Sequence, residues 1–377
     1  MLRLLTTPLL PEDFTELVSP LWSRSAPRGR VVAVRRETER ATTLRIRPGR
    51  GWSARGAGHR AGQFLRLGVD VDGVRHWRSY SLTSVPGSAD LEVTVQAQPD
   101  GVVSPKLAHG TEVGDLLYLA DPPAGEFVLP DPVPAKLLMI TAGSGITPVM
   151  AMLRTLAAGG AGGLGRAPSL APDGNTARGR MPDTVLLHSA PRTADVVFHD
   201  ELRALAAAHP ELRVEIRQTA LDGRLDLAEL DQHCPDWADR AAFVCGPAAL
   251  RDAARAHWSD APDRLRTEGF TPPPRVAGTG GRVRFASDRG PGTSTQCAEN
   301  ADSGEVEVGP AASLLEAGER AGFAMPSGCR MGICFGCLVP LRAGQVRDLR
   351  SGQVHGEPGD LIQTCINGAA GPAELGI

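Results

Sequence analysis

Short apolar runs broken by glycine, proline and polar residues recur along the chain from about Arg30 onward. Regular runs of this kind, with turn residues between them, are typical of an antiparallel β-barrel. The barrel is predicted to cover residues 29–132 and to follow an N-terminal extension, residues 1–28. Its predicted strands are Arg30–Arg36, Thr42–Arg47, Gln63–Val69, Arg78–Leu82 and Leu91–Gln98, and the extension has one short predicted helix around Glu12–Leu17.

The pattern changes at Lys136, where apolar strands begin to alternate with helical stretches. Such alternation indicates a parallel α/β sheet, predicted over residues 133–270. Residues 159–182 are rich in glycine, proline and alanine and form a predicted surface loop, to which we assign no function. The predicted strands are Lys136–Ile140, Val185–His188, Arg213–Arg217 and Ala241–Val244, and a predicted helix covers Pro148–Ala158.

A third segment follows a linker rich in proline and glycine, residues 271–281. Residues 282–377 open with a predicted strand, Val283–Phe285, and continue with a predicted helix, Ser313–Ala321. The chain is therefore predicted to be multidomain: an antiparallel β-barrel, an α/β domain with a parallel sheet, and a smaller C-terminal domain.

Composition narrows the class of protein. The 377 residues carry a formal net charge of −3, which gives no general attraction to nucleic acid or to anionic membranes. No run approaches the ~18 apolar residues of a membrane span, and the first residues lack the apolar core of a secretion signal. We expect a soluble cytoplasmic protein with no transmembrane segment and no nucleic-acid partner.

Four of the seven cysteines stand near the C-terminus, at Cys329, Cys334, Cys337 and Cys365. Their spacing, C-x4-C-x2-C with one distant fourth cysteine, is that of plant-type 2Fe-2S ferredoxins. Glycines beside and between the first three cysteines allow backbone N–H groups to turn toward the sulfurs. Zinc sites commonly show paired short spacings instead, and disulfides are not expected in a reducing compartment. We assign the four cysteines as iron ligands. The resemblance to plant-type ferredoxins implies that the C-terminal domain is an α+β ferredoxin domain of the β-grasp type.

The predicted barrel contains the sequence Arg78-Ser79-Tyr80-Ser81. This R-x-Y-S motif, followed by a nucleotide-binding α/β domain, resembles the ferredoxin–NADP reductase superfamily. The resemblance implies that Arg78 neutralises the flavin pyrophosphate, that Tyr80 stacks on the flavin ring, and that Ser81 bonds near its reactive nitrogen. These roles suit the chemistry of a planar multi-donor cation and of an aromatic face.

A second flavin segment is Gly101-Val102-Val103-Ser104. In the superfamily such a turn starts a short helix whose backbone N–H groups reach the flavin phosphates, as helix N-termini do. A simple hairpin turn is an equally good local interpretation. FAD is expected, with FMN as the alternative.

The nicotinamide nucleotide site is predicted at the glycine turn after the first α/β strand. The residues Gly143-Ser144-Gly145-Ile146-Thr147 resemble G-x-G-x-x-G, with Pro148 in place of the last glycine. Glycines allow a pyrophosphate to approach the helix N-terminus closely, and proline suits the first turn of a helix.

The end of the second α/β strand sets the expected nucleotide preference. An acidic residue there would select NADH, whereas arginine suits a 2′-phosphate. Ser189, Arg192 and Arg224 therefore predict NADPH, with NADH left open.

The turn Cys245-Gly246-Pro247 ends another predicted strand. The resemblance implies that Cys245 lies beside the nicotinamide and, with Tyr80 and Ser81, forms the catalytic set; a merely buried thiol is the alternative. The segment Thr267–Phe270 resembles the superfamily's terminal E-x-F sequence, which lies near the flavin in relatives.

Together the three modules predict an NAD(P)H-dependent oxidoreductase. NADPH would deliver a hydride, the flavin would take up two electrons, and the cluster would pass single electrons to a protein partner. Segments Leu9–Phe14, Pro20–Ser23 and Arg75–Ser81 resemble reductases that serve membrane acyl-CoA desaturases. The expected acceptor is thus a desaturase. The alternatives are a Rieske, di-iron or haem oxygenase and, in another class, a redox-sensing or ferredoxin-like binding protein.

Overall fold

The structure is a computed structural model that describes residues 18–23, 26–53, 58–71, 74–99, 101–159, 181–270, 275–286, 303–328, 330–332 and 335–377. The chain divides into two compact units, one of Met1–Arg75 with Ser79–Phe270 and one of Thr271–Ile377 with His76–Arg78. The helix predicted at Glu12–Leu17 lies outside the described residues. Among the described residues, none of the helices has the length and apolar character that crossing a bilayer requires.

The first half of the larger unit is a six-stranded antiparallel sheet in the order β4-β3-β6-β1-β2-β5. A bridge between Leu82 and Val93 joins the chain just after β4 to β5, so the two edges of the sheet meet, as in the predicted barrel. The strands are β1 (Arg28–Arg36), β2 (Ala41–Pro48), β3 (Phe64–Val71), β4 (Val74–Ser81), β5 (Leu91–Gln96) and β6 (Leu116–Ala124), with helices α1 (Arg50–Ser53) and α2 (Val103–His109).

The second half of this unit is a five-stranded parallel sheet in the order β11-β10-β7-β8-β9. The chain runs outward from β7 in one direction and then from β10 in the other, so the strand order reverses between β7 and β10. The strands are β7 (Lys136–Ala142), β8 (Asp183–Ala190), β9 (Leu212–Gln218), β10 (Ala241–Cys245) and β11 (Leu265–Glu268). The helices are α3 (Ile146–Ala157), α4 (His199–Ala208), α5 (Thr219–Asp222), α6 (Leu230–His233) and α7 (Ala248–His257).

Helix α3 is the centre of the main apolar core of the larger unit. Ten of its twelve residues are buried, against both the parallel sheet and barrel residues such as Ala61 and Phe127. Two further cores lie inside the barrel and on the other face of the parallel sheet. The barrel and the parallel sheet are thus joined by shared apolar packing.

The smaller unit is a mixed sheet in the order β13-β12-β17-β14-β15, with β16 paired to β14. Helix α8 (Leu314–Arg320) begins with a capping box, in which Ser313 and Glu316 satisfy each other's backbone N–H groups. This α+β arrangement agrees with the predicted ferredoxin domain. The strands are β12 (Gly281–Ala286), β13 (Ser303–Val308), β14 (Leu338–Asp348), β15 (Val354–His355), β16 (Leu361–Gln363) and β17 (Asn367–Gly376).

Short 3-10 helices complete the described elements. They are Pro20–Trp22, Gly143–Gly145, Thr193–Asp195, Leu227–Glu229, Trp237–Asp239 and Pro262–Arg264. Part of the predicted linker is bonded within the smaller unit, since Arg275 forms a two-armed ion pair with Glu316 at 2.6 Å and Val276 donates to the carbonyl of Leu349.

Candidate cofactor sites

The predicted glycine turn connects β7 directly to α3. Gly143 has φ +54 with open space at its Cβ position, and Thr147 Oγ1 donates to the Ser144 carbonyl at 2.9 Å. Gly145 and Ile146 are buried. This turn lies where the strand order reverses, at the carboxyl ends of parallel strands, which is where open α/β sheets bind dinucleotides.

The Cys245 turn is packed directly onto this glycine turn. A Cβ on Gly145 would lie 2.1 Å from the Cys245 carbonyl oxygen, so residue 145 must be glycine for the two backbones to touch. Register pairs Thr141 with Cys245 across β7 and β10. The structure therefore brings the two predicted nucleotide motifs together, with Gly246 and Pro247 leading into α7.

The half-buried residue Glu268 lies beside Cys245. Glu268 is the register partner of Cys245 across β10 and β11, and its Oε2 atom is buried with no hydrogen-bond partner among the described residues. Burial raises the pKa of Glu268 to about 8. Burial, followed by the nearby Glu268 charge, raises the pKa of Cys245 well above its ordinary value. Both groups are therefore uncharged at neutral pH, and Cys245 is a thiol rather than a nucleophilic thiolate.

Two further buried polar residues lie on the same edge. His188 Nδ1 is 2.8 Å from Thr141 Oγ1, and its Nε2 is buried without a partner in the described part of the chain. Burial lowers the pKa of His188 to about 4, so the ring is neutral. The sequence analysis assigned no role to His188 or Thr141. Each is a polar residue near the end of an otherwise apolar strand, and that pattern could have marked them as candidates.

The residues predicted to read the nucleotide's ribose lie at the ends of β8 and β9. Ser189 is paired with Ala142 in the parallel sheet. Arg192 is exposed and paired with Asp195 at 3.0 Å. The Ala220 N–H donates to the Pro191 carbonyl, which joins the Arg192 turn to the segment leading to the exposed Arg224.

The flavin strand β4 carries Arg78, Tyr80 and Ser81. Tyr80 is half-buried and packs on the barrel core, and Arg78 Nη1 donates to the Trp77 carbonyl at 2.8 Å. Ser81 is 5% exposed, and its hydroxyl has no hydrogen-bond partner among the described residues, as is also true of Thr83. An unpaired buried hydroxyl costs about 1–3 kcal/mol, so a ligand atom that bonds Ser81 fits this site.

The second flavin segment forms the start of α2. Val103 is buried and Val102 exposed. The Ser104 hydroxyl accepts from the Gln98 N–H at 3.1 Å, and a Cβ on Gly101 would lie 2.7 Å from that hydroxyl. The segment is therefore a compact turn followed by a seven-residue helix, as the superfamily resemblance implied, rather than the hairpin turn that was the alternative.

Two of the four predicted iron ligands are described, whereas Cys329 and Cys334 lie outside the described residues. Cys337 and Cys365 are buried, with their Sγ atoms 3.2 Å apart, well beyond the ~2.05 Å of a disulfide. Pairing of Leu338 with Gln363 across β14 and β16 brings them together. Two buried thiols converging across 27 intervening residues fit a cluster site.

Three described residues close to the predicted iron ligands have left-handed backbone. Arg330, Gly332 and Phe335 all have positive φ, at 62°, 76° and 53°. Such backbone is rare for residues other than glycine and marks a constrained loop. A constrained loop of this kind suits the convergence of several thiolates on one compact cluster.

The barrel, the parallel sheet and the cysteine domain define a flavin- and nicotinamide-dependent oxidoreductase with an iron–sulfur domain. Three family models match: "Oxidoreductase FAD-binding domain" at residues 53–128, "Oxidoreductase NAD-binding domain" at 139–256 and "2Fe-2S iron-sulfur cluster binding domain" at 298–366. An "NADPH oxidoreductase" of Mycobacterium tuberculosis is 46% identical over 99% of this chain and 90% of its own. The chain belongs to this family of reductases, which bind FAD, a nicotinamide nucleotide and a 2Fe-2S cluster.

Two other proteins indicate the wider group. The ferredoxin reductase component of a 3-ketosteroid-9-alpha-monooxygenase of Mycobacterium tuberculosis is 31% identical, over 76% of this chain and 75% of its own. Among solved structures, phthalate dioxygenase reductase has a TM-score of 0.60 and 20% identity, covering 94% of this chain and 98% of that chain. The latter shows the shared fold.

Proposed function

We propose that this protein is the reductase component of an oxygenase system, passing electrons from NADPH to a separate protein. The main support is similarity to an NADPH oxidoreductase over 99% of this chain. Other relatives are reductase components of monooxygenases. Neither those names nor that of the dioxygenase reductase mentions a desaturase, so the comparisons favour the oxygenase alternative over the acyl-CoA desaturase predicted from the N-terminal segments.

Residues of the barrel would hold the flavin. The Arg78 guanidinium supplies several donors in one plane for a diphosphate, and the Gly101–Ser104 turn supplies backbone N–H groups. Tyr80 offers an aromatic face, and Ser81 a buried hydroxyl without a protein partner. These contacts would fix the flavin ring at the end of β4.

Residues of the parallel sheet would hold the nucleotide. The glycine turn Gly143–Thr147 allows a pyrophosphate close to the start of α3. The Cys245 thiol and the protonated Glu268 carboxyl line the adjacent edge without charge. An uncharged edge places no net charge beside the neutral ring of a reduced nicotinamide.

When bound, FAD supplies the conversion of two-electron hydride chemistry into single electrons that a 2Fe-2S cluster can carry. The protein's own contribution is to hold these groups in order. Buried thiols at Cys337 and Cys365, with Cys329 and Cys334, would ligate the cluster.

NADPH is the proposed nucleotide. Arg192 lies just beyond the end of β8, exposed and oriented by Asp195, where a 2′-phosphate is expected. The segment carrying Arg224 is joined to the same turn. Similarity to an NADPH oxidoreductase supports this preference.

An anaerobic titration with NADPH and then NADH, following flavin and cluster absorbance, tests the internal transfer. Bleaching of both bands by NADPH is expected, and no bleaching by either nucleotide would refute the reductase function. The acceptor is tested by adding the reduced protein to a purified oxygenase or to membranes carrying an acyl-CoA desaturase. Turnover with the desaturase and none with oxygenases would overturn the oxygenase assignment.

A further inference from the structure

Arg154, on the third turn of α3, binds two parts of the larger unit at once. Its side chain is 13% exposed. Nε and Nη2 donate to the two carboxylate oxygens of Glu201 at 2.6 and 2.7 Å. Nη1 donates to the Thr83 carbonyl at 2.7 Å and to Glu92 Oε2 at 2.9 Å. Sequence reasoning gave this arginine no role.

These partners belong to different domains. Glu201 lies on α4, beside α3 in the nucleotide-binding half. Glu92 lies on β5 of the barrel, and Thr83 follows β4. One guanidinium therefore bridges the barrel and the nucleotide-binding half, with a two-armed bond on one side that holds its plane in place.

Apolar packing also joins the same two halves. A Cβ on Gly62 would lie 2.6 Å from Met152 Cε on α3 and 2.0 Å from the Phe127 carbonyl. Such contact is close, yet burial of apolar surface is non-directional. Hydrogen bonds weaken steeply when misaligned, so the Arg154 fork depends on orientation. A second polar contact across this junction, between Arg35 on β1 and Glu201, is longer at 3.6 Å.

The elements tied by Arg154 are the two that carry the proposed cofactor contacts. Helix α3 starts at Ile146, directly after the glycine turn, about 12 Å along the helix from Arg154. Thr83 follows Ser81 by two residues, about 7 Å along an extended chain. The bond from Arg154 to the Thr83 carbonyl thus connects the nucleotide helix to the flavin strand by a short, rigid path.

We propose that Arg154 is a positioning residue for hydride transfer: it fixes the nucleotide-binding helix against the flavin-binding strand so that nicotinamide and flavin meet in reactive geometry. This inference rests on the nucleotide-to-flavin step of the proposed function. The bridge persists at neutral pH. Burial opposes ionisation of Glu201, but its bonds to Arg154 outweigh this and lower the pKa of Glu201.

The test is stopped-flow reduction of the flavin by NADPH under anaerobic conditions, on the holoprotein. The variants are Arg154→Ala, Arg154→Lys, Glu92→Ala and the control Arg45→Ala. Arg45 pairs with the other oxygen of Glu92 at 2.9 Å but does not bond the nucleotide-binding half in the described structure. Glu92→Ala removes the contacts of Glu92 with both Arg154 and Arg45, whereas Arg45→Ala removes only the contact with Arg45. The difference between the flavin-reduction rates of these two variants therefore reports the Arg154–Glu92 bond.

Arg154→Ala is expected to lower the limiting rate of flavin reduction roughly 10- to 100-fold, because misplacement by about 1 Å can cost about 10²-fold. The nucleotide concentration giving half the limiting rate should change little, since no binding contact is lost. Deuterated NADPH should give a larger isotope effect in the variant, as the hydride step becomes slower. Arg154→Lys should recover only part of the rate, because one ammonium group cannot make all four bonds.

A limiting rate unchanged in Arg154→Ala, with only a lower melting temperature, would overturn the proposal. If that variant does not fold, a limiting rate in Arg154→Lys equal to that of the unmodified protein would overturn it instead. Failure of the unmodified protein to be reduced by NADPH would refute the proposed function, an outcome that is separate from either of these.

Discussion

The buried carboxyl of Glu268 should make the larger unit less stable as the pH rises. Its pKa is raised by burial from an ordinary 4.5 to about 8. Below pH 4.5 the folded and unfolded states both hold the proton. Between 4.5 and 8 the unfolded chain ionises while the folded protein keeps its proton, so the folded state binds more protons and the free energy of unfolding falls with pH.

The size of the effect follows from the same two values. The interval from 4.5 to about 8, at about 1.36 kcal/mol per pH unit, amounts to at most about 5 kcal/mol. Glu268→Gln removes the ionisable group and keeps the shape. The variant should match the parent protein near pH 5 and be more stable by several kcal/mol at pH 8.5.

Urea unfolding at half-unit steps from pH 4.5 to 8.5 measures this difference. Two of the five tryptophans, Trp237 and Trp258, lie in the nucleotide-binding half and pack edge-on at 5.0 Å, so their part of the fluorescence reports this half. His188 is the matched comparison: its pKa is lowered by burial from 6.5 to about 4, so its contribution is lost as pH falls below 6.5. A parent and a Gln variant with parallel pH profiles above pH 5 would refute the reasoning.

Four further changes test the proposed sites. Gly145→Ala forces a methyl group to 2.1 Å from the Cys245 carbonyl oxygen and should abolish measurable NADPH binding by calorimetry while lowering the melting temperature; normal binding would contradict the packing of the two turns. Ser81→Ala removes a hydroxyl with no partner among the described residues, so it should leave the stability of the flavin-free protein unchanged or slightly higher and weaken FAD binding, measured by fluorescence titration. Cys365→Ser should remove the 2Fe-2S absorbance and most of the bound iron while flavin reduction by NADPH continues; loss of both would argue against separate cofactor sites. Arg192→Gln should lower the preference for NADPH over NADH by about tenfold, or about 1.4 kcal/mol, in the ratio of kcat/KM values, with NADH turnover little changed.

The sequence predicted most strands of the barrel and of the parallel sheet, because they depend on local patterns. In the smaller unit it predicted only the strand Val283–Phe285 and the helix Ser313–Ala321. The predicted helix Pro148–Ala158 is found as Ile146–Ala157, and the predicted strand Lys136–Ile140 as Lys136–Ala142. The strand Leu116–Ala124 was missed, since two adjacent prolines near its end resemble a turn. Its pairing with β1 and β3 places it in the centre of the barrel sheet, which outweighs the local signal.

The candidate sites were predictable where their residues follow one another in the chain. The glycine turn and the first three cysteines are local motifs, and their backbone requirements appear directly as glycines. Arg154 could not be found in this way, because its partners Thr83 and Glu92 lie more than 60 residues earlier. Its position in the sequence resembles that of any charged residue on a helix.

The parallel sheet shows how distant residues could have been grouped. In such a sheet the carboxyl ends of all strands lie on one edge, so Thr141, His188, Cys245 and Glu268 come into register although they span more than 120 residues. To group residues by this rule, one needs only to predict correctly where each strand ends. The short strand Leu265–Glu268 was not recognised, and Glu268 was therefore considered only as part of a terminal segment. Once that strand is placed next to β10, parallel pairing alone puts its last residue beside Cys245, and the burial of that edge accounts for the raised pKa of Glu268.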